Sequence, residues 1–361
     1  MRLSHSIAKI MCCAVLPGCA ADPAGTGSPP AGAVPANDPN IQYSGRFDFT
    51  DPLAPRFDWP AVSLSTMFQG TSIGILLTDG SNDYDAFIDG VPGQVIVTGS
   101  TGQYTVGGLG SGTHAFQLVK RTEASYGIAT FHGFVLEAGT ALLPPSPAPS
   151  RRIEFVGDSL ACGYGDESLS SSCAANQRRA LENSWLAYGP LTARALGAEC
   201  RVTSAGGTGL VHNYGDPNPV SAVPMPALYA RTLENSPSPN YDFTQWIPDA
   251  VVVFLGGNDF LTTPYPSQTD FQDGYTKFIA LLRANYSAVR IFCVSFFGET
   301  MESYVSNVVA AANAAGDANV QFVEMHYPSD QLTGCDSHPN LTGQQQMANE
   351  LAPAVQTAMG W

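Results

Sequence analysis

The chain has 361 residues and a formal charge of −15, from 16 Lys and Arg against 31 Asp and Glu, and no basic run relieves that balance, so a nucleic-acid partner is excluded and an anionic substrate disfavoured. With 44% hydrophobic residues it can bury a sizeable core, which excludes disorder of the whole chain, and it exceeds the roughly 100 to 200 residues of a typical domain. Only 13% of residues are charged while Gly numbers 36 and Pro 27, which suits β-structure and loops better than long solvated helices.

Arg2 and Lys9 bracket a basic start, residues 10–17 form an apolar stretch too short to cross a membrane, and Leu16-Pro17-Gly18-Cys19 resembles a bacterial lipobox. Residues 1–18 therefore read as an export signal and Cys19 as the site of an outer-membrane lipid anchor. Ala20-Ala21 would instead serve an ordinary signal peptidase and free secretion. Residues 19–40 are Pro, Gly, Ala, Ser and Asp with almost nothing to bury, and read as a disordered linker. Short β-like runs follow at 61–68, 73–77, 84–88, 95–98, 114–119 and 128–136, separated by Gly, Asn, Asp and Ser. That spacing predicts a jelly-roll-like β-sandwich over 41–142. Residues 143–150 form a Pro-rich linker short and stiff enough that the sandwich should dock near whatever follows.

From 151 to 361 the pattern changes to strand, loop, helix. Apolar runs at 153–156, 200–203, 251–255, 290–295 and 320–325 lack strict alternation, as expected of strands covered on both faces. Helical candidates lie at 184–196, 271–285, 302–315 and 342–359. The alternation predicts an α/β/α three-layer domain with a parallel sheet, whose chemistry should lie at the carboxyl ends of its strands.

The first of these strands ends in Gly157-Asp158-Ser159-Leu160, which places a serine hydroxyl where a neighbouring base would activate it. The second ends in Ala205-Gly206-Gly207-Thr208-Gly209, where absent side chains let backbone N–H groups approach a substrate oxygen. The third runs into Gly256-Gly257-Asn258-Asp259, whose Asn amide can donate to an oxyanion. After the fifth comes Gly334-Cys335-Asp336-Ser337-His338-Pro339-Asn340, and no other histidine of the exported chain has a comparable setting, so His338 is the candidate base. Each string alone is as well explained by a turn; together, at successive strand ends of one sheet, they are not. Five cysteines remain after the signal and Cys19. Cys200 and Cys293, in apolar strand-like runs, read as buried thiols, while Cys162 could pair with Cys173 or with Cys335. The sequence has no CxxC pair or HExxH helix, so neither a metal nor another cofactor is expected.

The order Ser159, Gly207, Asn258, His338 resembles the SGNH, or GDSL, hydrolase superfamily. The strings 153–165, 182–189 and 334–340, with a β-sandwich ahead of them, are similar to carbohydrate esterase family 2 over nearly all of 41–361. The resemblance implies an exported acetyl esterase acting on acetylated polysaccharide or oligosaccharide, with Ser159 as nucleophile and His338 as base. It also implies an oxyanion site made by the N–H groups of Ser159 and Gly207 and the Asn258 amide. The superfamily often places its acid three residues before the histidine; here Asp336 is two before it. Asp336 is expected to orient His338 as third catalytic residue, the alternative being a dyad held by a backbone carbonyl. Where family members often carry an aromatic between the two, this chain has Ser337, which leaves Tyr164, Trp185, Phe260 and Tyr265 as candidates for lining the sugar cleft; helical spacing makes core the competing reading for Trp185. Other readings are a lysophospholipase or thioesterase on the same scaffold and a non-catalytic carbohydrate-binding lipoprotein.

Overall fold

The computed structural model describes residues 30–361; the export signal, Cys19 and residues 19–29 of the expected linker lie outside the described residues. Two antiparallel sheets form the N-terminal domain. One orders Ala33–Pro35, Ala129–Val135, Ile73–Thr78 and Gly102–Val106, with Arg56–Phe57 also on Ala129–Val135. The other orders Leu142–Leu143, Ser63–Gly70, Gly112–Lys120, Asp83–Ile88 and Val91–Val97, with Gln42–Ser44 beside Ser63–Gly70. Alternate side chains point inward, Leu64, Thr66 and Phe68 from one strand and Ile73, Ile75 and Leu77 from the next. Phe116 of one sheet meets Phe134 of the other edge to face at 5.7 Å. The expected linker ends earlier than the composition indicates: Ala33–Pro35 adds a strand and Ala36 is fully buried behind it.

Residues 151–361 carry the parallel sheet. Its strands β1 (Arg151–Gly157), β2 (Ala198–Ser204), β3 (Ala250–Phe254), β4 (Arg290–Phe296) and β5 (Val320–Met325) lie in the order β2-β1-β3-β4-β5. Every residue of β3 is buried, which explains its unbroken apolar run. The helices are α1 (Ser159–Cys162), α2 (Tyr188–Ala195), α3 (Met225–Tyr229), α4 (Gln268–Asn285), α5 (Thr300–Ala314) and α6 (Leu341–Met359); α2 packs on α6 and α4 on α5. The helix expected over 184–196 is interrupted: a 3-10 turn, Ser184–Leu186, stops at an extended Ala187 and α2 restarts at Tyr188. Pro190, which lacks an N–H, fits the first turn of α2 but not the middle of a longer helix. Strand order reverses between β1 and β3, and the crevice this opens at their carboxyl ends is where such folds hold ligands.

The two domains are joined by buried polar contacts. Arg46 of the sandwich is 2% exposed and pairs at 3.0 Å with Glu154 in the middle of β1, which also accepts from Thr203 Oγ1 and Tyr229 Oη. Arg179 reaches back to Asp83 and the carbonyls of Asn82 and Thr98. Ser184 donates to the Lys120 carbonyl and accepts from the Ala61 N–H, both at 2.9 Å.

Candidate active site

β1 delivers the chain to Asp158, which caps α1 by accepting the Leu160 N–H at 3.0 Å. Ser159 opens that helix at the crevice, and its Oγ lies 2.8 Å from His338 Nε2. His338 arrives from the loop before α6, itself capped by Asn340, whose side chain accepts the Gly343 N–H. The imidazole Nδ1 donates to the Cys335 carbonyl at 3.0 Å, which fixes the proton on Nδ1 and leaves Nε2 to accept from Ser159. Burial holds the His338 pKa below its ordinary value, against the Cys335 carbonyl and the Asp336 and Glu123 charges that raise it.

Asp336 does not orient His338. Its carboxylate accepts from Tyr164 Oη at 2.8 Å and pairs with Arg178 at 3.1 Å. Asp336 and Ser337 both sit at positive φ, 53° and 62°, and that left-handed turn carries the carboxylate away from the ring and presents the Cys335 carbonyl in its place. The expectation of Asp336 as third catalytic residue is therefore corrected in favour of the backbone-held pair.

Cys335 is fixed in turn by a disulfide to Cys173. Neither pairing considered for Cys162 forms: it is buried in α1 with its Sγ 3.2 Å from Ser204 Oγ, while Cys173 and Cys335 are brought together by loops distant in sequence. Cys293 is buried and Cys200 half-buried, both as free thiols.

The N–H groups of Ser159 and Gly207 have no acceptor among the described residues, and both residues line a cleft of about 1090 Å³ that opens around Ser159 and His338. Asn258 lines it too, but its Nδ2 donates to Asp158 Oδ2 at 3.1 Å and to the Thr208 carbonyl at 2.9 Å. It thus ties the Ser159 turn to the Gly207 turn, and to serve an oxyanion it would exchange one of these bonds. Burial pushes the Asp158 carboxyl up to about 7. The next residue, Asp259, accepts the N–H groups of Leu210, Val211 and His212 and so pins the loop beyond the Gly207 turn.

Of the aromatics expected in the cleft, Tyr164 tilts over His338 with ring centroids 4.8 Å apart, and Phe260 lines the wall. Tyr265 stands behind Phe260, exposed and outside the lining, because the loop turns outward after Leu261. Trp185 is not in the cleft either: it lies at the domain seam, under the Arg194 guanidinium and edge-on to Phe87 of the sandwich. Sequence reasoning missed Glu123, Arg178, Tyr214 and Tyr327, which also line the cleft. Glu123 comes from the sandwich, and no local motif marks it. With Glu123, Asp158, Glu299 and Asp336 around it and Arg178 the one Lys or Arg in its lining, the cleft suits a neutral ligand better than an anion. Among the described residues no group of three His, Cys, Asp or Glu side chains is placed to hold a metal ion.

Residues 43–147 match the family model described as carbohydrate esterase 2 N-terminal, and residues 155–346 match the GDSL-like lipase/acylhydrolase family. The cellulase/esterase CelE of Acetivibrio thermocellus is 37% identical over 90% of this chain, which spans 40% of CelE's length. An acetylxylan esterase / glucomannan deacetylase of Cellvibrio japonicus is 31% identical over 86% of this chain and 87% of its own. A family two carbohydrate esterase from Clostridium thermocellum, solved in complex with cellohexaose, superimposes with a TM-score of 0.82 at 35% identity, covering 89% of this chain and 99% of that one.

Proposed function

The chain belongs to the family 2 carbohydrate esterases, with a GDSL-like hydrolase domain, and we propose that it is an exported serine esterase that removes O-acetyl groups from plant-type polysaccharides or oligosaccharides. The observation that carries this reading is the 2.8 Å contact between Ser159 Oγ and a His338 Nε2 whose tautomer is set by the Cys335 carbonyl, beside the unengaged N–H groups of Ser159 and Gly207. His338 takes the Ser159 proton as Oγ attacks the acetyl carbonyl. The two N–H groups receive the oxyanion, and as it collapses His338 gives the proton to the departing sugar oxygen, which leaves as the free hydroxyl. Water, deprotonated by the same imidazole, releases acetate and restores Ser159. The relatives named for acetylxylan and glucomannan deacetylation support the acetyl group and the polysaccharide class. The basic start and the apolar stretch of residues 1–18, with Cys19 as lipid anchor site, support export to the cell surface, periplasm or medium.

A panel of aryl esters with the full chain tests this. Turnover confined to acetate supports the reading, preference for long acyl chains favours a lipolytic enzyme, and no turnover favours a binding protein. Ser159→Ala should lose several orders of magnitude in activity with its fold intact.

A further inference from the structure

The floor of the cleft is completed by a residue from the other domain. Glu123 follows the sandwich strand Gly112–Lys120, is 8% exposed, and accepts the Gly206 N–H on Oε2 at 2.8 Å. A Cβ placed on Gly206 would lie 2.5 Å from that oxygen, so the carboxylate occupies the space in which any other side chain would begin. Glu123 is itself held firmly. Its own N–H donates to the Glu182 carboxylate of the hydrolase domain, and its carbonyl accepts from the buried Lys120 Nζ at 3.1 Å.

Gly206 and Gly207 are the two central residues of a turn closed by the Thr208 N–H on the Ala205 carbonyl at 3.3 Å, with Gly207 at φ 73° as in a type II turn. The peptide between them carries the Gly207 N–H, which has no acceptor among the described residues and belongs to a residue lining the cleft. Two consecutive glycines give the turn no side-chain restraint of its own, so the Gly207 N–H is directed only as firmly as the two ends of the turn are held. Downstream, the Tyr214 N–H holds the Gly207 carbonyl at 2.9 Å; upstream, the Glu123 carboxylate holds the Gly206 N–H.

We infer that Glu123 is a positioning residue for the oxyanion site, fixing the Gly206-Gly207 turn so that the Gly207 N–H faces the reacting carbonyl, and that sandwich and hydrolase domain therefore form one catalytic unit. The inference rests on the acyl-transfer reading of the cleft given above.

Steady-state kinetics of the full chain on an aryl acetate test it. Glu123→Ala should lower kcat by about 10- to 100-fold, a part of the 10²–10³ that removal of a whole oxyanion donor costs, with KM within about twofold. Glu123→Gln, whose amide oxygen still accepts the Gly206 N–H, should return kcat to within about threefold of wild type. A wild-type kcat in Glu123→Ala, or equal losses in both variants, would overturn the inference. If Glu123→Ala does not fold, Gly206→Ala replaces it, since its Cβ displaces the carboxylate; an unchanged kcat there would overturn the inference equally. Loss of all turnover in Ser159→Ala alongside an unaffected Glu123→Ala refutes this inference alone, whereas turnover surviving Ser159→Ala refutes the reading beneath it.

Discussion

Asp336→Asn is expected to leave kcat on an aryl acetate within about tenfold of wild type, where the same change in a Ser-His-Asp triad costs about 10⁴. The expectation follows from where the bonds go. His338 Nδ1 is held by the Cys335 carbonyl at 3.0 Å, a bond the substitution does not touch, and the Asp336 side chain, 46% exposed, instead serves Tyr164 and Arg178. An Asn there can still accept the Tyr164 hydroxyl. What it removes is a charge that stabilises the imidazolium, and water screens that charge at such exposure. The sign is fixed: with the carboxylate gone the His338 pKa falls further, the neutral base persists to lower pH, and the acid limb of kcat/KM shifts to more acidic pH. Initial rates measured from acid to mildly alkaline pH, with His338→Ala as the reference for a lost base, give both quantities. A loss of 10³ or more at alkaline pH would show that Asp336 acts directly on the ring and would refute the backbone-held pair. A limb that moves to higher pH would contradict the sign of its charge effect.

In wild type, burial should place the acid limb below pH 6.5, the ordinary histidine value, because a depressed pKa keeps the base neutral there; a limb above 6.5 would contradict this. The Cys173–Cys335 bridge spans 162 positions, so Cys173→Ser should lower unfolding free energy by up to about 5 kcal/mol in denaturant melts and also depress kcat, since Cys335 carries the carbonyl that orients His338. Wild-type stability and turnover in that variant would contradict both roles. Arg46→Ala should cost about 3–5 kcal/mol, because it leaves Glu154 charged and unpaired inside β1. For the same reason residues 151–361 expressed alone should fail to fold cooperatively, and a sharp melt of that fragment would count against the buried pair as the domain cement.

The strands of the parallel sheet were legible because burial on both faces writes itself as a continuous apolar run, as in 251–255. Ser159 and His338 were legible because strand ends collect them in order. Other features were not, each for a physical reason. Ala33–Pro35 is too short and too poor in large side chains to stand out from a linker, although Ala36 behind it is fully buried. Gly102–Val106 is an edge strand of mixed polarity and carries little apolar signal. The role of Asp336 depended on two left-handed residues that no composition rule assigns to Asp and Ser. Glu123 meets Gly206 across 83 positions and a domain boundary, so only the folded interface shows it.

The central claim is covalent catalysis by Ser159, and the most direct measurement is mass spectrometry of peptides from enzyme quenched during turnover of an acetylated xylo-oligosaccharide. The account predicts an acetyl group on the peptide bearing Ser159, present in wild type and absent in Ser159→Ala. Acetyl found on another residue, or steady deacetylation by Ser159→Ala with no acyl-enzyme at all, would contradict it.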